Sequence, residues 1–292
     1  MLLEGSWGVN HVVSITSYHV CSCMNNPWLH RFAILLAIGA LLLIVDGTFA
    51  GSETAHRAAA ISVGLLTLVL SAWLAVSDRR PEARLLGFST LATAVLVVVA
   101  GLPAAQAMLP QMSRIAHACL APLFFAAVVA VAVVTSAGWA RGPELVNDYG
   151  WPSNRSLAVV SPFLVLIQIA LGAAFRQKAI SLMPHVLGAM FVALVILMQC
   201  IFVLQQFKTH RALQAAGKTL LGVAFGQVFL GMTALIMRSM AQETAQPVVI
   251  TVASHITGGA ITLATTLVLG ILVRRNVQPR PEEEAQEPAT TG

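Results

Sequence analysis

Four histidines recur at matching places in this sequence. Each lies at or just inside the start of an even-numbered apolar segment of helix length, and they are His56, His117, His185 and His255. Imidazole is an axial ligand of heme iron, and a flat macrocycle fits between helices that each project one histidine inward. The four positions therefore predict heme ligation by paired imidazoles inside a bundle of helices.

The composition places those helices in a membrane. Of the 292 residues, 57% are hydrophobic and only 10% are charged, and the mean hydropathy is +0.80. Soluble globular domains do not have this composition. A bilayer core about 30 Å thick needs roughly 20 apolar residues per helix. We predict eight such helices, near 31–50, 56–76, 86–102, 113–135, 157–175, 180–204, 219–237 and 248–273.

The chain divides into two halves at its longest hydrophilic interruption, residues 136–156, which we interpret as a cytoplasmic linker. The predicted fold is an all-α polytopic membrane protein whose eight transmembrane helices form two pseudo-symmetric four-helix bundles, at 31–135 and 157–275. In both halves, the helix before each histidine ends in glycine, at Gly47, Gly101, Gly172 and Gly231. The second half has Q-x-x-L-G twice, at 168–172 and 227–231, which argues for a duplication.

Lysine and arginine predict the orientation, because cytoplasmic loops retain positive charge during insertion. Twelve of the 17 basic residues fall on one side of the predicted helices, and the remaining five are Arg57, Arg114, Arg176, Lys178 and Arg238. We therefore expect a multi-pass protein of the bacterial cell (inner) membrane with both termini cytoplasmic and the four histidines toward the outer leaflet. The net charge of +5 reflects this topology and gives no reason to invoke nucleic acid.

The two ends of the chain are predicted to lie outside the bundles. Residues 1–30 form an N-terminal extension that lacks the pattern of a signal peptide. Met24 opens a more ordinary start for a polytopic protein than Met1, so we expect translation to begin there. Residues 276–292 are acidic and proline-rich, and they are predicted to be disordered.

Three other residues with reactive side chains are predicted to have no chemical role. Cys119 and Cys200 lie inside predicted helices, where cysteine usually behaves as a small hydrophobic residue. His210 belongs to a basic cytoplasmic loop, and we expect its ring to be solvated.

Glu53 is the one acidic residue beside a candidate ligand that the pattern singles out. It lies three residues before His56, so the two share a face if the helix begins that early. A carboxylate there could move protons or steer a substrate. The alternative is an acidic residue in the first turn, which the helix dipole favours. No equivalent acid precedes His185, so the two halves are chemically unequal.

Basic residues on the predicted outer side suit heme propionates, which are anionic and pair well with arginine. The candidates, each beside or shortly before one of the histidines, are Arg57, Arg114, Arg176 and Lys178. The alternative is that these side chains anchor the helices at the membrane interface. The sequence leaves both interpretations open.

Over roughly residues 30–275, the chain resembles the heme A synthases of cytochrome oxidase assembly. The resemblance rests on eight helices in two halves, the four histidines that start even helices, the E-x-x-H-R run at 53–57, and Q-x-x-L-G followed by Arg176 and His185. Many relatives carry a cysteine pair in the first outer loop. The corresponding loop here contains no cysteine, so the chain resembles the cysteine-free branch of that family.

This resemblance implies an enzyme, a membrane oxidoreductase that oxidises the C8 methyl group of heme O to a formyl group and so produces heme A. His185 and His255 would hold a heme B cofactor, and His56 and His117 would bind the heme O substrate. Glu53 would stand at the position of the family's essential acidic residue. The implied partners are a heme O synthase and a membrane electron donor, while association of several copies into a homo-oligomer stays open.

Two other classes of function stay open. The first is a non-catalytic diheme b-type membrane cytochrome that passes electrons to or from quinone. Such cytochromes usually carry two histidines on one helix and stack their hemes across the bilayer, a pattern that the sequence lacks. The second is a transporter or assembly factor without heme, which would predict broken helices or acidic residues at the bilayer midplane. The sequence shows neither, although Pro184 could break the sixth helix locally.

Overall fold

The computed structural model describes residues 26–49 and 52–279. It contains eight long helices: α1 (Pro27–Thr48), α2 (Glu53–Ser77), α3 (Pro81–Gly101), α4 (Pro110–Val134), α5 (Asn154–Arg176), α6 (Leu182–Gln206), α7 (Arg211–Met240) and α8 (Gln246–Asn276). All eight are long and apolar enough to cross a membrane, so the chain is a multi-pass membrane protein. The described residues also include two short helices, Pro103–Met108 and Ala137–Ala140, and two short strands, β1 (Val146–Asn147) and β2 (Val277–Gln278).

Polar caps set the starts of several helices, and they lie outside the apolar segments from which the helices were predicted. Asn26 Oδ1 accepts hydrogen bonds from the backbone N–H groups of the second and third residues of α1, and Pro27 occupies the first helical position. Ser52 caps α2 in the same way, so that α2 begins at Glu53. The largest difference is in α7, which begins at Arg211 rather than near 219 because its first two turns are polar.

The helices form two four-helix rings that correspond to the two halves of the chain. In the N-terminal half, α1 contacts α2, α2 contacts α3, α3 contacts α4, and α4 closes the ring against α1. Helices α5 to α8 repeat these contacts in the same order. The two rings meet where α4 packs against α8 and α5, and where α1 reaches α8. The predicted all-α fold of two four-helix bundles is confirmed.

The centre of the molecule is the contact between α4 and α8, the two most buried of the long helices. Phe124 and Val128 from α4 and Leu263 from α8 belong to its buried core. On the outer helices, large apolar side chains stay exposed, such as Leu65 of α2 at 60% and Phe229 of α7 at 70%. In a bilayer such side chains face lipid tails, which are as apolar as they are.

Polar contacts hold the end of the bundle at which α2 joins α3. Asp78 follows α2 directly and accepts hydrogen bonds of 2.6–3.2 Å from the Arg80 guanidinium, which also donates to Val134 O at 3.1 Å. Burial alone would raise the pKa of Asp78, but the hydrogen bonds and positive charge of Arg80, with a contribution from Arg84, lower this pKa below its usual value. The loop is thereby fixed to the end of α4.

The linker between the halves is docked at the same end. Strand β1 pairs in parallel with β2, which follows α8 directly. The Asn276 side chain accepts a hydrogen bond from the backbone N–H of Glu144 at 2.9 Å. The prediction of disorder over 276–292 was therefore wrong at its start, because Asn276 ends α8 and β2 follows it. Residues 280–292 lie outside the described part of the chain.

The predicted N-terminal extension, 1–30, was likewise too long. Asn26 caps α1, so residues 27–30 belong to the first helix. The apolar segment was placed from 31 because the first turn contains Pro27 and His30, which lower its hydropathy. Residues 1–25, and with them the expected start at Met24, lie outside the described residues.

Candidate functional site

Four glycine–histidine contacts lie at one end of the bundle, which we call the histidine end. Each histidine lies within the first three turns of an even-numbered helix, and its ring packs on a glycine in the last three turns of the long helix before it. Helix α5 continues to Arg176 and α7 to Met240, so the prediction that these two helices end at their glycines was wrong. A Cβ added to that glycine would lie only 2.9–3.0 Å from the imidazole Cε1 in each of the pairs Gly47–His56, Gly101–His117, Gly172–His185 and Gly231–His255. Glycine thus leaves the space that each ring occupies.

The two histidines of the C-terminal half face each other closely. The ring centroids of His185 and His255 are 6.2 Å apart, and the ring planes cross at 84°. Two imidazoles that bind one metal ion from opposite sides hold their centres roughly 6 Å apart, because each metal–nitrogen bond is about 2 Å and each ring nitrogen lies about 1 Å from its ring centre. The separation therefore suits two ligands of one metal ion.

Two histidines are fewer side-chain ligands than a structural metal ion usually takes. Among residues 26–49 and 52–279, no group of three or more His, Cys, Asp or Glu side chains is arranged to hold a metal ion. Heme iron needs only two axial ligands from the protein, because the porphyrin nitrogens occupy the other positions. A pair of histidines is the donor set that such a group requires.

The Q-x-x-L-G segments make a second contact with the same histidines. Gln168 Nε2 lies 2.8 Å from His185 O and 2.9 Å from His185 Nδ1, and Gln227 Nε2 donates to His255 O at 3.1 Å. Each glutamine packs over a glycine three residues after the histidine, where a Cβ would lie within 2.5 Å of the glutamine Oε1; these glycines are Gly188 and Gly258. The same four-residue unit therefore occurs twice in this half.

Three buried polar atoms of these units have no hydrogen-bond partner within the described chain: Gln168 Oε1, Gln227 Oε1 and His255 Nδ1. Leaving one such buried atom without a partner lowers the stability of the folded protein by about 1–3 kcal/mol. Gln168 Nε2 donates to His185 O at 2.8 Å, so the same amino group also presents a donor to His185 Nδ1, which accepts. The three unpartnered atoms therefore mark the polar groups that a molecule bound here would have to satisfy.

In the N-terminal half, the partners of both rings are acceptors only. His56 Nδ1 donates to Asp46 Oδ2 at 2.8 Å, and His117 Nδ1 donates to Val97 O at 2.9 Å. Neither a carboxylate nor a carbonyl oxygen has a proton to give, so Nδ1 carries the proton, and in the neutral ring Nε2 keeps its lone pair. This is the tautomer that binds a metal ion through Nε2.

Two of these partners were missed from the sequence. Asp46 immediately precedes the glycine on which His56 packs, and an acidic residue at the end of an apolar helix was the available signal. Val97 lies four residues before Gly101, as Gln168 lies four before Gly172. A backbone carbonyl serves there in place of a glutamine side chain, and no sequence pattern reveals such a substitution.

Helix α2 begins at Glu53, so Glu53 and His56 share its first turn as predicted. The Glu53 carboxylate forms an ion pair with Arg57, with 2.5 Å between Oε1 and Nη2, and its side chain is 77% exposed. The carboxylate in contact with the His56 ring is that of Asp46. The catalytic role of Glu53 stays a prediction, and its place is the solvent-accessible rim of the N-terminal half.

The other basic candidates lie at the same end and are exposed. Within the described residues, Arg114, Arg176 and Lys178 form no ion pair, so their charges are available to an anion. Lys178 has a left-handed φ of 58° and closes α5, with its N–H donating to Phe175 O at 2.9 Å. Their predicted contact with heme propionates stays a prediction.

The remaining reactive side chains have structural positions. Cys119 and Cys200 are free thiols, and Cys200 is fully buried, as expected of a small hydrophobic residue. The prediction that His210 is solvated was wrong, because its side chain is only 2% exposed. His210 caps α7, and its Nδ1 accepts a hydrogen bond from Leu213 N at 3.3 Å.

The fold and these contacts define a multi-pass membrane protein with two four-helix bundles and one pair of glycine-packed histidines in each. Comparison with known proteins does not assign it to a family, because no protein-family model matches the chain and no curated protein is significantly similar to it. The function must therefore be inferred from these residues and their geometry.

Proposed function

We propose that the chain is a membrane oxidoreductase of the heme A synthase type, which oxidises the C8 methyl group of heme O to a formyl group for cytochrome oxidase assembly. The observation that carries the proposal is the unit of histidine packed on glycine, which occurs four times at one end of the bundle and twice in each half. The two histidines of each half thereby provide one pair of axial ligands for a heme iron. Two hemes on the same side suit a cofactor and a substrate that exchange electrons.

The C-terminal half is the better candidate for a permanently bound heme B. Its two rings already lie at the separation of ligands to one metal ion. Both histidines are also contacted by glutamines, and α8 is one of the two most buried helices. Heme bound there supplies one-electron redox chemistry. His185 and His255 hold it, and the packing of α4 on α8 excludes water from that side.

The N-terminal half is the better candidate for a heme O substrate, which must enter and leave. The His56 side chain is 29% exposed and that of Asp46 is 48% exposed, so the site reaches the surface. Glu53 and Arg57 stand at its rim as an exposed ion pair. In the proposed reaction Glu53 holds or passes a proton at its carboxylate, and the contact with Arg57 orients that carboxylate.

A diheme electron-transfer cytochrome is the second candidate, because paired histidines serve it equally well. All four histidines lie at one end of the bundle, whereas an electron path across the bilayer needs hemes at both ends.

A transporter is less well supported, because the acidic residues of the eight described helices, Asp46, Glu53 and Glu82, lie in terminal turns rather than at the midplane. The proposed reaction accounts for the one-sided arrangement.

The proposed setting is a bacterial inner membrane with both termini cytoplasmic, as the distribution of lysine and arginine predicts. The histidine end then opens at the outer face. The partners implied there are a heme O synthase, which supplies the substrate, and a membrane electron donor.

The test is conversion of heme in a host that makes no heme A. The full chain is co-expressed with a heme O synthase, and the hemes are extracted from the membranes and separated by chromatography. Heme A, or its hydroxylated intermediate, supports the proposal. Heme B bound to the purified chain with heme O unchanged contradicts it and favours the electron-transfer cytochrome. A colourless purified protein contradicts both.

A further inference from the structure

The four histidines differ in what their Nδ1 atoms contact. His117 Nδ1 donates to a backbone carbonyl, and His185 Nδ1 lies against a neutral amide. His255 Nδ1 has no partner within the described chain. His56 alone has a charged partner, since its Nδ1 lies 2.8 Å from Asp46 Oδ2. The two halves therefore differ by one full negative charge at a candidate ligand.

The position of Asp46 follows from the local fold. Asp46 lies in the last turn of α1 and directly precedes Gly47, on which the His56 ring packs. Ser52 caps α2, so His56 is the fourth residue of that helix and its ring faces the end of α1. The carboxylate of Glu53, in the same turn of α2 as His56, is paired with Arg57. Asp46 is thus the acid that the fold brings to this ring.

A carboxylate on Nδ1 strengthens the metal-binding nitrogen on the other side of the ring. It holds the proton on Nδ1, fixes the ring orientation and raises the basicity of Nε2. A more basic axial ligand stabilises ferric over ferrous iron, and the nearby negative charge acts in the same direction. Each heme iron takes up one electron when it passes from ferric to ferrous. The site with the carboxylate therefore takes up its electron at the lower potential.

We infer that Asp46 is a positioning residue for His56, and that it makes the N-terminal half the lower-potential heme site of this chain. The inference rests on the proposed binding of one heme in each half. It adds a direction: an electron shared between the two hemes resides preferentially on the C-terminal one. Because Asp46 is half exposed, water screens its charge, so the expected shift in potential is smaller than for a buried carboxylate.

The experiment is a potentiometric titration of the full chain in detergent, purified with its hemes after anaerobic co-expression with a heme O synthase. In the unsubstituted protein we expect two components, one for each half. Asp46→Asn removes the charge while its Oδ1 still accepts the Nδ1 proton, so the lower-potential component should shift upward and the higher one should stay. The matched control is Glu243→Gln, which removes a charge at the same end from a residue paired with Arg238, and it should shift neither.

Other results would overturn the inference. These are a titration of the unsubstituted protein with one component only, no shift in Asp46→Asn, or an equal shift of both components. If Asp46→Asn loses its heme, Asp46→Glu decides. This variant keeps an anionic acceptor and should retain both heme and low potential, whereas a potential as high as that of the C-terminal heme contradicts the inference. Failure to convert heme O while the lower component still responds to Asp46 would count against the proposed reaction alone.

Discussion

At the scale of single residues, the histidine rings require the glycines in the last three turns of the odd-numbered helices, because a larger residue there would occupy the space of the ring. The Cα of Gly231 leaves only 2.9 Å between an added Cβ and His255 Cε1, which is closer than atoms pack. Gly226, five residues earlier in the same helix, has open space at the same position. The two glycines of α7 thus offer a test of ring placement with a matched control.

Gly231→Ala is expected to push the His255 ring out of place and to lower heme affinity by about tenfold, the smaller of the effects seen when a ligand's support is lost. Heme per chain, measured by absorbance after purification, is the readout. Gly226→Ala should keep its heme and make the helix slightly more stable, since alanine favours helix over glycine. Equal heme contents in the two variants would show that the contact does not position the ligand.

Glu53 is the second test at this scale. Glu53→Gln keeps the shape of the side chain but removes its charge and weakens the ion pair with Arg57. Bound heme should be unchanged, while formation of heme A should fall by roughly 100-fold, as for loss of a proton-transfer group. Glu82→Gln, at the exposed start of α3, is the control and should keep full activity. Full activity of Glu53→Gln would leave only the helix-dipole interpretation for this residue.

The sequence predicted the candidate heme ligands better than the residues that hydrogen-bond to them. The four histidines and the four glycines are visible because their types and places repeat along the chain. Asp46 was missed because its partner lies ten residues away in the next helix, and only the fold shows that the two meet. Val97 acts through its backbone carbonyl, which is the same for every residue type, so no pattern could reveal it.

At the scale of elements, hydropathy predicted the eight long helices but not their exact starts. An apolar segment reports the part of a helix that lies in lipid, whereas the helix itself begins at a polar cap such as Asn26 or Ser52. The short helix Pro103–Met108 was missed because six residues after a helix end carry too little periodicity to be recognised. The linker pairs with residues far along the chain through β1 and β2, a contact that local sequence does not specify.

The loop between α2 and α3 provides a stability test. In Asp78→Asn the hydrogen bonds to the Arg80 guanidinium lose their charge, which should cost about 1–3 kcal/mol and lower the temperature of thermal unfolding in detergent. Because the pKa of Asp78 is lowered in the folded protein, its contribution is complete above its unfolded value of about 3.9 and disappears as the pH falls through the folded pKa.

The variant and the unsubstituted protein should therefore differ at neutral pH and converge in strong acid. Arg79→Gln is the control, since Arg79 is exposed and forms no ion pair in the described residues, and it should unfold near the original temperature. A constant difference from neutral pH to pH 3 would show that packing of the side chain, and not its charge, stabilises the loop.

At the scale of the whole molecule, two similar rings of helices hold chemically different sites. The glycine–histidine contact is common to both halves. Glutamines donate to the backbone of both histidines in one half, whereas Asp46 and a backbone carbonyl accept from the rings of the other. The weak internal repeat in the sequence thus reflects a shared framework. Its divergence in the first half marks the place where we propose that the substrate is bound.

Orientation in the membrane is also tested at this scale. With the histidine end outside, a membrane-impermeant maleimide should label Ser239→Cys in intact spheroplasts and should label Lys208→Cys only after the membrane is opened, since these exposed residues lie at opposite ends. The unsubstituted chain gives the background from its four native cysteines. The reverse pattern of labelling would place the histidines on the cytoplasmic side.

The central claim is that each half holds one heme between its two histidines. The most direct measurement is the heme-to-chain ratio of the purified protein and of His185→Ala and His56→Ala, with gel filtration to show that each remains folded. We predict about two hemes per chain, falling to about one in either variant, with the tightly bound heme B absent only from His185→Ala. Folded variants that retain all of the heme of the unsubstituted chain, or a chain that binds none, would contradict the claim.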